Sequence, residues 1–146
     1  MKIYTIGFTK KNASSFFGMI AQSGVKRVVD VRLNNVSQLA GFAKKEDLKY
    51  FLKKICNIDY VHEPLLAPTK QMLDEYKKNG GNWDVYEARF SDLMAVRQIE
   101  KNVPKELVDD SCLLCSEDKP HHCHRRIVAE YFKSHWPEEV KINHLT

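Results

Sequence analysis

Hydrophobic residues near the start of the chain follow two kinds of spacing. Continuous β-prone runs at 3–6 and 28–31 predict two buried strands. Between them, apolar residues at helical spacing over 16–21 follow a capping residue at Asn12 or Ser14, which predicts a helix. A strand, helix and strand of this length, with nearly continuous apolar strands, are typical of parallel pairing through a right-handed crossover.

The later part of the chain repeats this alternation less regularly. The predicted elements are a helix at 48–55, a strand at 58–61, a helical insertion at 69–101, a strand at 111–115, a helix at 123–135 and a strand at 140–144. Strands that alternate with helices predict an α/β fold. We therefore expect a single domain over 1–146, with a mostly parallel β-sheet flanked by helices in Rossmann-like layering.

Composition narrows the class of protein. The chain has 146 residues, 43% of them hydrophobic and 10% aromatic, so it can form one compact core and differs from disordered chains. The formal charge of +4 is compatible with anionic ligands, but nucleic-acid-binding faces are usually more basic. No segment has the pattern of a membrane span or a secretory signal. We expect a cytoplasmic protein with free cysteines and no membrane partner.

Ionisable and thiol groups follow the predicted strands at their carboxyl ends. They are Asp30 and Arg32 after the second strand, and Glu117, Cys123, His124 and Arg125 after the strand at 111–115, which ends at Cys115. The first strand ends at Gly7, which is followed by Phe8 and Thr9. In an open parallel sheet, ligands bind beyond the carboxyl ends of the strands, because loops and helix N-termini converge there. We therefore expect one site built from these groups.

Cys123 is the predicted reactive residue of this site. It stands at the start of the last predicted helix, where free backbone N–H groups and the helix dipole favour the thiolate. The alternative is a buried cysteine with a packing role only. Asp30 and Glu117 are the predicted groups for proton transfer or orientation, since burial and nearby arginines shift carboxyl pKa values. A structural ion pair between Asp30 and Arg32 is the alternative for that carboxylate.

Substrate binding is predicted for two arginines and their neighbours. The planar guanidinium groups of Arg32 and Arg125 suit a phosphate or carboxylate, and Gly7 and His124 complete the predicted binding set. The first strand is not followed by Gly-x-Gly-x-x-Gly, which disfavours a dinucleotide cofactor. Aromatic residues at helical spacing over 83–90 form either core or a surface on which a base stacks.

A zinc site is the competing interpretation of the cysteine-rich segment. Cys112 and Cys115 have the two-residue spacing of zinc ligands. Residues three apart on a strand point to opposite faces, however, so these two thiols would not reach one ion. A site formed by Cys115, Cys123 and His124 stays open. We predict no cofactor, with zinc as the alternative.

Motifs spread over nearly the whole chain carry a family resemblance. In chain order they are Tyr4-Thr5-Ile6-Gly7, Val29-Asp30-Val31-Arg32, Ser37 with Phe42, Tyr60 with Leu66-Ala67-Pro68-Thr69, Trp83 with Tyr86, Leu114-Cys115-Ser116-Glu117, Cys123-His124-Arg125 and His144-Leu145. Together they resemble the family of domains of unknown function numbered 488 (DUF488). The resemblance implies a small α/β domain with the charged and thiol residues in one site, and no agreed reaction. The chain departs from the family at Phe8, where members often have His, and at Asn35, where a proline is common.

Two functions fit these observations. The first is an enzyme in which a Cys/Glu/Arg site acts on an anionic substrate, such as a nucleotide or a nucleic-acid fragment. The alternative is a nucleotide- or nucleic-acid-binding module without chemistry, in which the cysteines are structural or bind metal. The expected partner is therefore an anionic small molecule or a nucleic acid.

Overall fold

A parallel sheet forms the centre of the protein. The computed structural model describes residues 1–35, 41–78 and 80–146, so the Ser37 motif position lies outside it. The strands are β1 (Lys2–Gly7), β2 (Arg27–Asp30), β3 (Asp59–His62), β4 (Ser111–Cys115) and β5 (Lys141–Leu145). All pair in parallel, in the order β3-β2-β4-β1-β5. The predicted α/β class and parallel sheet are confirmed, and the sheet is entirely rather than mostly parallel.

Helices connect the strands, as the spacing of apolar residues predicts. They are α1 (Ala13–Ser23), α2 (Lys45–Phe51), α3 (Lys70–Lys78), α4 (Trp83–Arg97), α5 (Ile99–Asn102), α6 (Lys105–Val108) and α7 (His124–His135). Asn12 caps α1, since its side chain accepts the N–H of Ser15 at 2.8 Å. The insertion at 69–101 is confirmed as α3, α4 and α5. No helix of the described ranges has the length and apolar character needed to cross a membrane.

Two apolar cores lie on opposite faces of the sheet. Successive residues of a strand point to opposite faces, so Leu113 and Leu114 of β4 enter different cores. Leu113 belongs to the core that contains Phe90 of α4 and Phe132 of α7. Leu114 belongs to the core that contains Phe16 of α1. Each fully buried side chain of this size stabilises the fold by about 1.5–3 kcal/mol, which fixes the helices on the two faces.

The strand order creates a crevice between β2 and β4. These two strands pair from Arg27 opposite Ser111 to Asp30 opposite Leu114. From β2 the chain continues towards β3 at one edge, whereas from β4 it continues towards β5 at the other edge. The loops after the two strands therefore diverge, and the space between them at the carboxyl ends is the usual ligand position in such sheets.

Candidate functional site

A cavity of about 220 Å³ opens at this crevice. One side of it carries polar and thiol groups, namely Arg32, Cys115, Glu117, Cys123 and His124. The helical insertion contributes a mainly apolar and aromatic part of the lining, with Leu73, Tyr76, Trp83 and Tyr86. The structure thus brings together Arg32, Glu117, Cys123 and His124, as the sequence predicts.

Arg32 is held in the cavity wall by Asp30. The Nε and Nη2 groups of Arg32 donate to the two carboxylate oxygens of Asp30, each at 2.8 Å, and both side chains are buried. Tyr60 donates its hydroxyl hydrogen to Asp30 Oδ2 at 2.5 Å. The Arg32 guanidinium also lies 5.3 Å from the ring centroid of Phe8, at the position where the resemblance leads one to expect His. This network fixes the orientation of the guanidinium.

One nitrogen of Arg32 has no partner among the described residues. Its Nη1 is buried and makes no hydrogen bond, whereas Nε and Nη2 are both bonded. A buried donor without a partner costs about 1–3 kcal/mol, so such groups are uncommon, and the other one among the described side chains is Nε of Arg125. Of these two arginines, only Arg32 lines the cavity.

Asp30 lies outside the cavity wall, whereas a residue that transfers a proton to a substrate has to reach the cavity. Both of its oxygens are occupied by Arg32 and Tyr60, and the residue is not part of the cavity wall. The arrangement matches the ion-pair alternative of the sequence analysis. Its effect on the site is to orient Arg32.

Cys115 and His124 form a thiol–imidazole pair. His124 Nδ1 lies 3.4 Å from Cys115 Sγ, and His124 Nε2 lies 2.6 Å from the carbonyl oxygen of Val31. Because a carbonyl only accepts hydrogen bonds, Nε2 carries a hydrogen and donates it to Val31. In the neutral ring Nδ1 is then unprotonated and able to take the proton of the Cys115 thiol.

The two thiols of the cavity differ in acidity. Burial raises the pKa of the Cys115 thiol, but the opposing contributions are larger and hold this pKa below its ordinary value. Those contributions are a hydrogen bond with Cys123, the charge of Arg125 and the backbone N–H groups of Ser116 and Glu117. Cys115 is therefore the thiol that ionises first.

Cys123 has the opposite behaviour to the one predicted from its position. It is the residue immediately before α7, as expected, but its side chain makes no capping hydrogen bond and is buried. Burial raises the pKa of the Cys123 thiol well above its ordinary value, and the neighbouring Cys115 raises it further. Burial therefore opposes the lowering of this pKa that the helix N-terminus predicts.

Arg125 and Gly7 brace the loop that follows β4. The fully buried Arg125 donates from Nη1 to the carbonyl oxygen of Glu117 and from Nη2 to that of Asp118, the latter at 3.2 Å. A Cβ atom at Gly7 would lie 1.6 Å from the same Glu117 oxygen, so only glycine permits this approach. Arg125 and Gly7 belong to the predicted substrate-binding set, but neither residue lines the cavity.

Glu117 contributes to the site in two ways. Its backbone carbonyl accepts from Arg125, and its residue lines the cavity while remaining exposed to solvent. A carboxylate at this position is accessible to a ligand and to water. Its predicted proton-transfer role is therefore compatible with its location.

The sequence predicts only part of the aromatic lining of the cavity. The ring centroids of Trp83 and Tyr86 are 5.1 Å apart, and those of Tyr76 and Tyr86 are 5.0 Å apart. Trp83 also stacks on His122 at 5.1 Å. Sequence reasoning placed the residues at 83 and 86 in a motif but missed Tyr76, because no local pattern brings α3 against α4. Phe90, about one turn beyond Tyr86 on α4, lies wholly in the core.

Of the two zinc sites considered in the sequence analysis, the structure is compatible with one. Cys112 belongs to the core on the other face of the sheet, so it does not pair with Cys115 around an ion. In contrast, the ligand atoms of Cys115, Cys123 and His124 all lie within 4.8 Å of one another. Two thiols and an imidazole suit zinc, and a metal-binding histidine usually donates its other ring N–H to a carbonyl or carboxylate, as His124 Nε2 does to Val31.

The fold and the site together define an α/β protein with a thiol, imidazole and guanidinium cavity at the switch point of a parallel sheet. The chain belongs to the family described as domain of unknown function DUF488, whose model matches residues 12–132. The family resemblance seen in the sequence is thereby confirmed. Searches of the curated proteins and of the solved structures found no match.

Proposed function

We propose that the protein is an enzyme that acts on an anionic substrate and that Cys115 is its nucleophile. The observation that carries this proposal is the presence of Cys115 and Arg32 in one cavity wall, where Arg32 Nη1 is a buried donor without a partner among the described residues. An anionic oxygen at this nitrogen would supply the missing charge-assisted hydrogen bond. The substrate would then be anchored beside the thiol.

The nucleophile is assigned to Cys115 rather than to Cys123, which the sequence favoured. The pKa of the Cys115 thiol is lowered and that of Cys123 is raised. His124 Nδ1, 3.4 Å from Cys115 Sγ, takes the thiol proton, and its bond to the Val31 carbonyl keeps the ring in position. Thiolate, base and orienting carbonyl together form the arrangement that nucleophilic cysteines require.

The shape of the cavity supports a substrate with a flat ring as well as an anionic group. Tyr76, Trp83 and Tyr86 line the same cavity as Arg32 and Cys115. Stacking of one base on an aromatic side chain contributes about 1–3 kcal/mol to binding. A nucleotide has both required parts, so it is the proposed substrate class, and the exposed Glu117 is the proposed group for proton transfer or orientation.

The test compares alkylation of Cys115 by an anionic reagent, iodoacetate, and by its neutral counterpart, iodoacetamide. The ratio of the two rates removes differences in thiol reactivity and reports attraction of the anion alone. We expect the ratio to fall about tenfold in Arg32→Gln, the factor that corresponds to ~1.4 kcal/mol for a hydrogen bond to a charged group. Mass spectrometry of the peptide that contains Cys115 measures both rates.

Two variants serve as controls for this experiment. Arg27→Gln removes the same charge at the opposite end of β2, where Arg27 donates to backbone carbonyls of α6, and it should leave the ratio unchanged. Cys115→Ser should abolish the fast alkylation, whereas Cys123→Ser should retain it. Equal ratios in the parent protein and Arg32→Gln, or fast labelling of Cys123 alone, would contradict the proposal.

A second candidate function rests on the Cys115, Cys123 and His124 cluster. If these residues hold zinc, the protein is a binding module or a metal-dependent enzyme, and the thiols are ligands rather than nucleophiles. Elemental analysis of the purified protein distinguishes the two candidates. One tightly held zinc per chain, with alkylation of Cys115 only after chelation, would favour the second candidate.

A further inference from the structure

The second thiol of the cavity has no part in the function proposed so far. We propose that Cys123 is a resolving thiol, so that the cavity carries out thiol–disulfide exchange with an anionic disulfide. This inference rests on the proposed role of Cys115 as nucleophile. It is motivated by the proximity of the two sulfur atoms, which lie within 4.8 Å of each other and of a ring nitrogen of His124. Both cysteines also line the cavity that Arg32 borders.

The positions of the two cysteines permit a bond between them. Cys115 is the last residue of β4, and Cys123 stands directly before α7, so a loop joins them. A disulfide requires the sulfurs to approach to about 2.05 Å. The remaining distance is in the range that side-chain rotation and a small loop movement cover. The chain's other cysteines, Cys56 and Cys112, pack with the core on the opposite face of the sheet and do not compete.

The exchange balances in atoms and electrons with a disulfide as the oxidant. The Cys115 thiolate attacks one sulfur of the substrate, a Cys115–substrate disulfide forms, and the first thiolate leaves with the proton that His124 took from Cys115. His124 then takes the proton of Cys123, whose sulfur attacks Cys115 Sγ. The second substrate thiolate leaves with that proton and the Cys115–Cys123 disulfide closes. An external dithiol returns the pair to its reduced state.

The guanidinium of Arg32 in the cavity lining favours a negatively charged substrate. Arg32 lines the cavity with an Nη1 that has no hydrogen-bond partner in the part of the chain that the structure describes, and Glu117 of the same lining is exposed to solvent. An anionic group attached to a disulfide would bind at Arg32 with its sulfur near Cys115. A neutral disulfide of similar length has no such anchor. We therefore expect the exchange to be faster for the anion.

Dithiodiglycolate, a small dianionic disulfide, is the probe, and 2-hydroxyethyl disulfide is its neutral counterpart. With dithiodiglycolate the reduced parent protein should lose both thiol hydrogens and form the Cys115–Cys123 disulfide without a lasting adduct. Cys123→Ser should stop at a stable adduct on Cys115, and Cys115→Ser should not react at this site. The rate for the anionic probe relative to the neutral one should fall about tenfold in Arg32→Gln and stay unchanged in Arg27→Gln. Peptide mapping by mass spectrometry identifies each product.

The outcomes separate this inference from the proposed function. A lasting adduct on Cys115 in the parent protein, with Cys123 still reduced, would overturn the resolving role while Cys115 remained the nucleophile. Absence of any reaction at Cys115 with either probe, although the protein is folded and free of metal, would overturn both. An internal disulfide that forms equally fast with both probes would overturn the assignment of an anionic substrate.

Discussion

The buried guanidinium of Arg32 is held in one orientation in the lining of the cavity. Asp30 occupies two of its nitrogens, and the Tyr60 hydroxyl holds Asp30 in turn. Nη1 is then the one guanidinium nitrogen without a partner among the described residues. If Arg32 binds the substrate as proposed, this single nitrogen favours a specific small anion over the many phosphates of an extended nucleic acid.

Gly7 provides a test of the packing that supports the site. We expect Gly7→Ala to reduce the free energy of unfolding by about 2–3 kcal/mol, because its Cβ would meet a backbone oxygen of Glu117 that is held by Arg125. Gly18→Ala is the matched control, since its Cβ would meet nothing within 4 Å inside α1. It should stabilise the protein by about 0.5–1 kcal/mol through helix propensity.

Urea denaturation measures both changes on the same scale. A Gly7→Ala variant as stable as the parent protein would show that the loop after β4 moves away at little cost. In that case the bracing role given to Gly7 and Arg125 would be wrong.

At the residue scale the sequence predicted the members of the site better than their roles. Gly7 and Arg125 stood out because of their place after strands, but their contacts with the loop after β4 depend on tertiary structure. The same applies to the two thiols. A helix N-terminus lowers a thiol pKa only when burial does not oppose it more strongly, and the burial of Cys123 was not visible in its neighbours along the chain.

At the scale of elements, α5 is attached to α7 by one side chain in particular. Glu100 accepts the hydroxyl hydrogen of Tyr131 at 2.6 Å, and its backbone carbonyl accepts the indole N–H of Trp136 at 2.9 Å. The hydrogen bond from Tyr131 is the main reason that the pKa of the Glu100 carboxyl lies below its ordinary value. The pair therefore stabilises the folded protein when the carboxyl is ionised.

Tyr131→Phe should test this link between helices. The variant loses the partly exposed hydrogen bond from Tyr131 to Glu100. This loss should lower the free energy of unfolding by about 1 kcal/mol at neutral pH. Because the pKa of Glu100 is lower in the folded protein, the stabilisation is complete above the unfolded value of about 4.3 and is lost as the pH falls through the folded value.

Urea denaturation at neutral pH and at about pH 3 compares the two conditions. The difference between the parent protein and Tyr131→Phe should shrink at the acidic pH. Tyr50→Phe, at a side chain that is 58% exposed, should have no measurable effect at either pH. A difference that grows with acid would contradict the assigned ionisation.

The periodicity of apolar residues predicted most elements within a few residues of their observed bounds. It failed to show that the helical stretch after Trp83 breaks at Gln98, which has a left-handed φ of 50° and ends α4. No glycine or proline marks this break. The helix ends there because Ile99 turns into the core, a contact that local spacing does not encode.

At the scale of the whole molecule, β4 is the most protected part of the sheet. It pairs on both sides, with β1 and β2, and all of its residues are buried. The edge strand β5 pairs only with β1 within the described sheet, and its residues are exposed or half-buried. The last strand in the sequence, β5, is therefore held in the sheet by β1, which lies near the start of the chain.

Amide hydrogen exchange should follow this order. We expect peptides from β4 to exchange slowest, at rates near those of global unfolding, and peptides from β5 to exchange faster through local opening. Mass spectrometry of the exchanging protein compares both strands in one sample. Equal protection of β4 and β5 would contradict the edge position of β5 and point to a partner that covers it.

The order of the strands was beyond what the sequence could predict. The unit of β1, α1 and β2 suggested two adjacent strands, but β4 pairs between them after more than half of the chain has intervened. Pairing of this kind depends on long-range packing of Leu113 and Leu114 in the two cores rather than on local spacing. The spacing of apolar residues along the chain predicts the α/β class of the fold. The order of the strands depends on packing in the two cores.

The two sides of the cavity come from different parts of the architecture. Arg32, Cys115 and His124 belong to the sheet and the segments joined directly to it, whereas Tyr76 and Trp83 belong to the inserted helices α3 and α4. If the cavity binds substrate as proposed, the aromatic residues of the insertion are the positions at which substitution would change selectivity while Arg32, Cys115 and His124 stayed in place. Phe90 of α4 packs on His124 with ring centroids 5.3 Å apart, so a redesigned insertion has to keep that one contact.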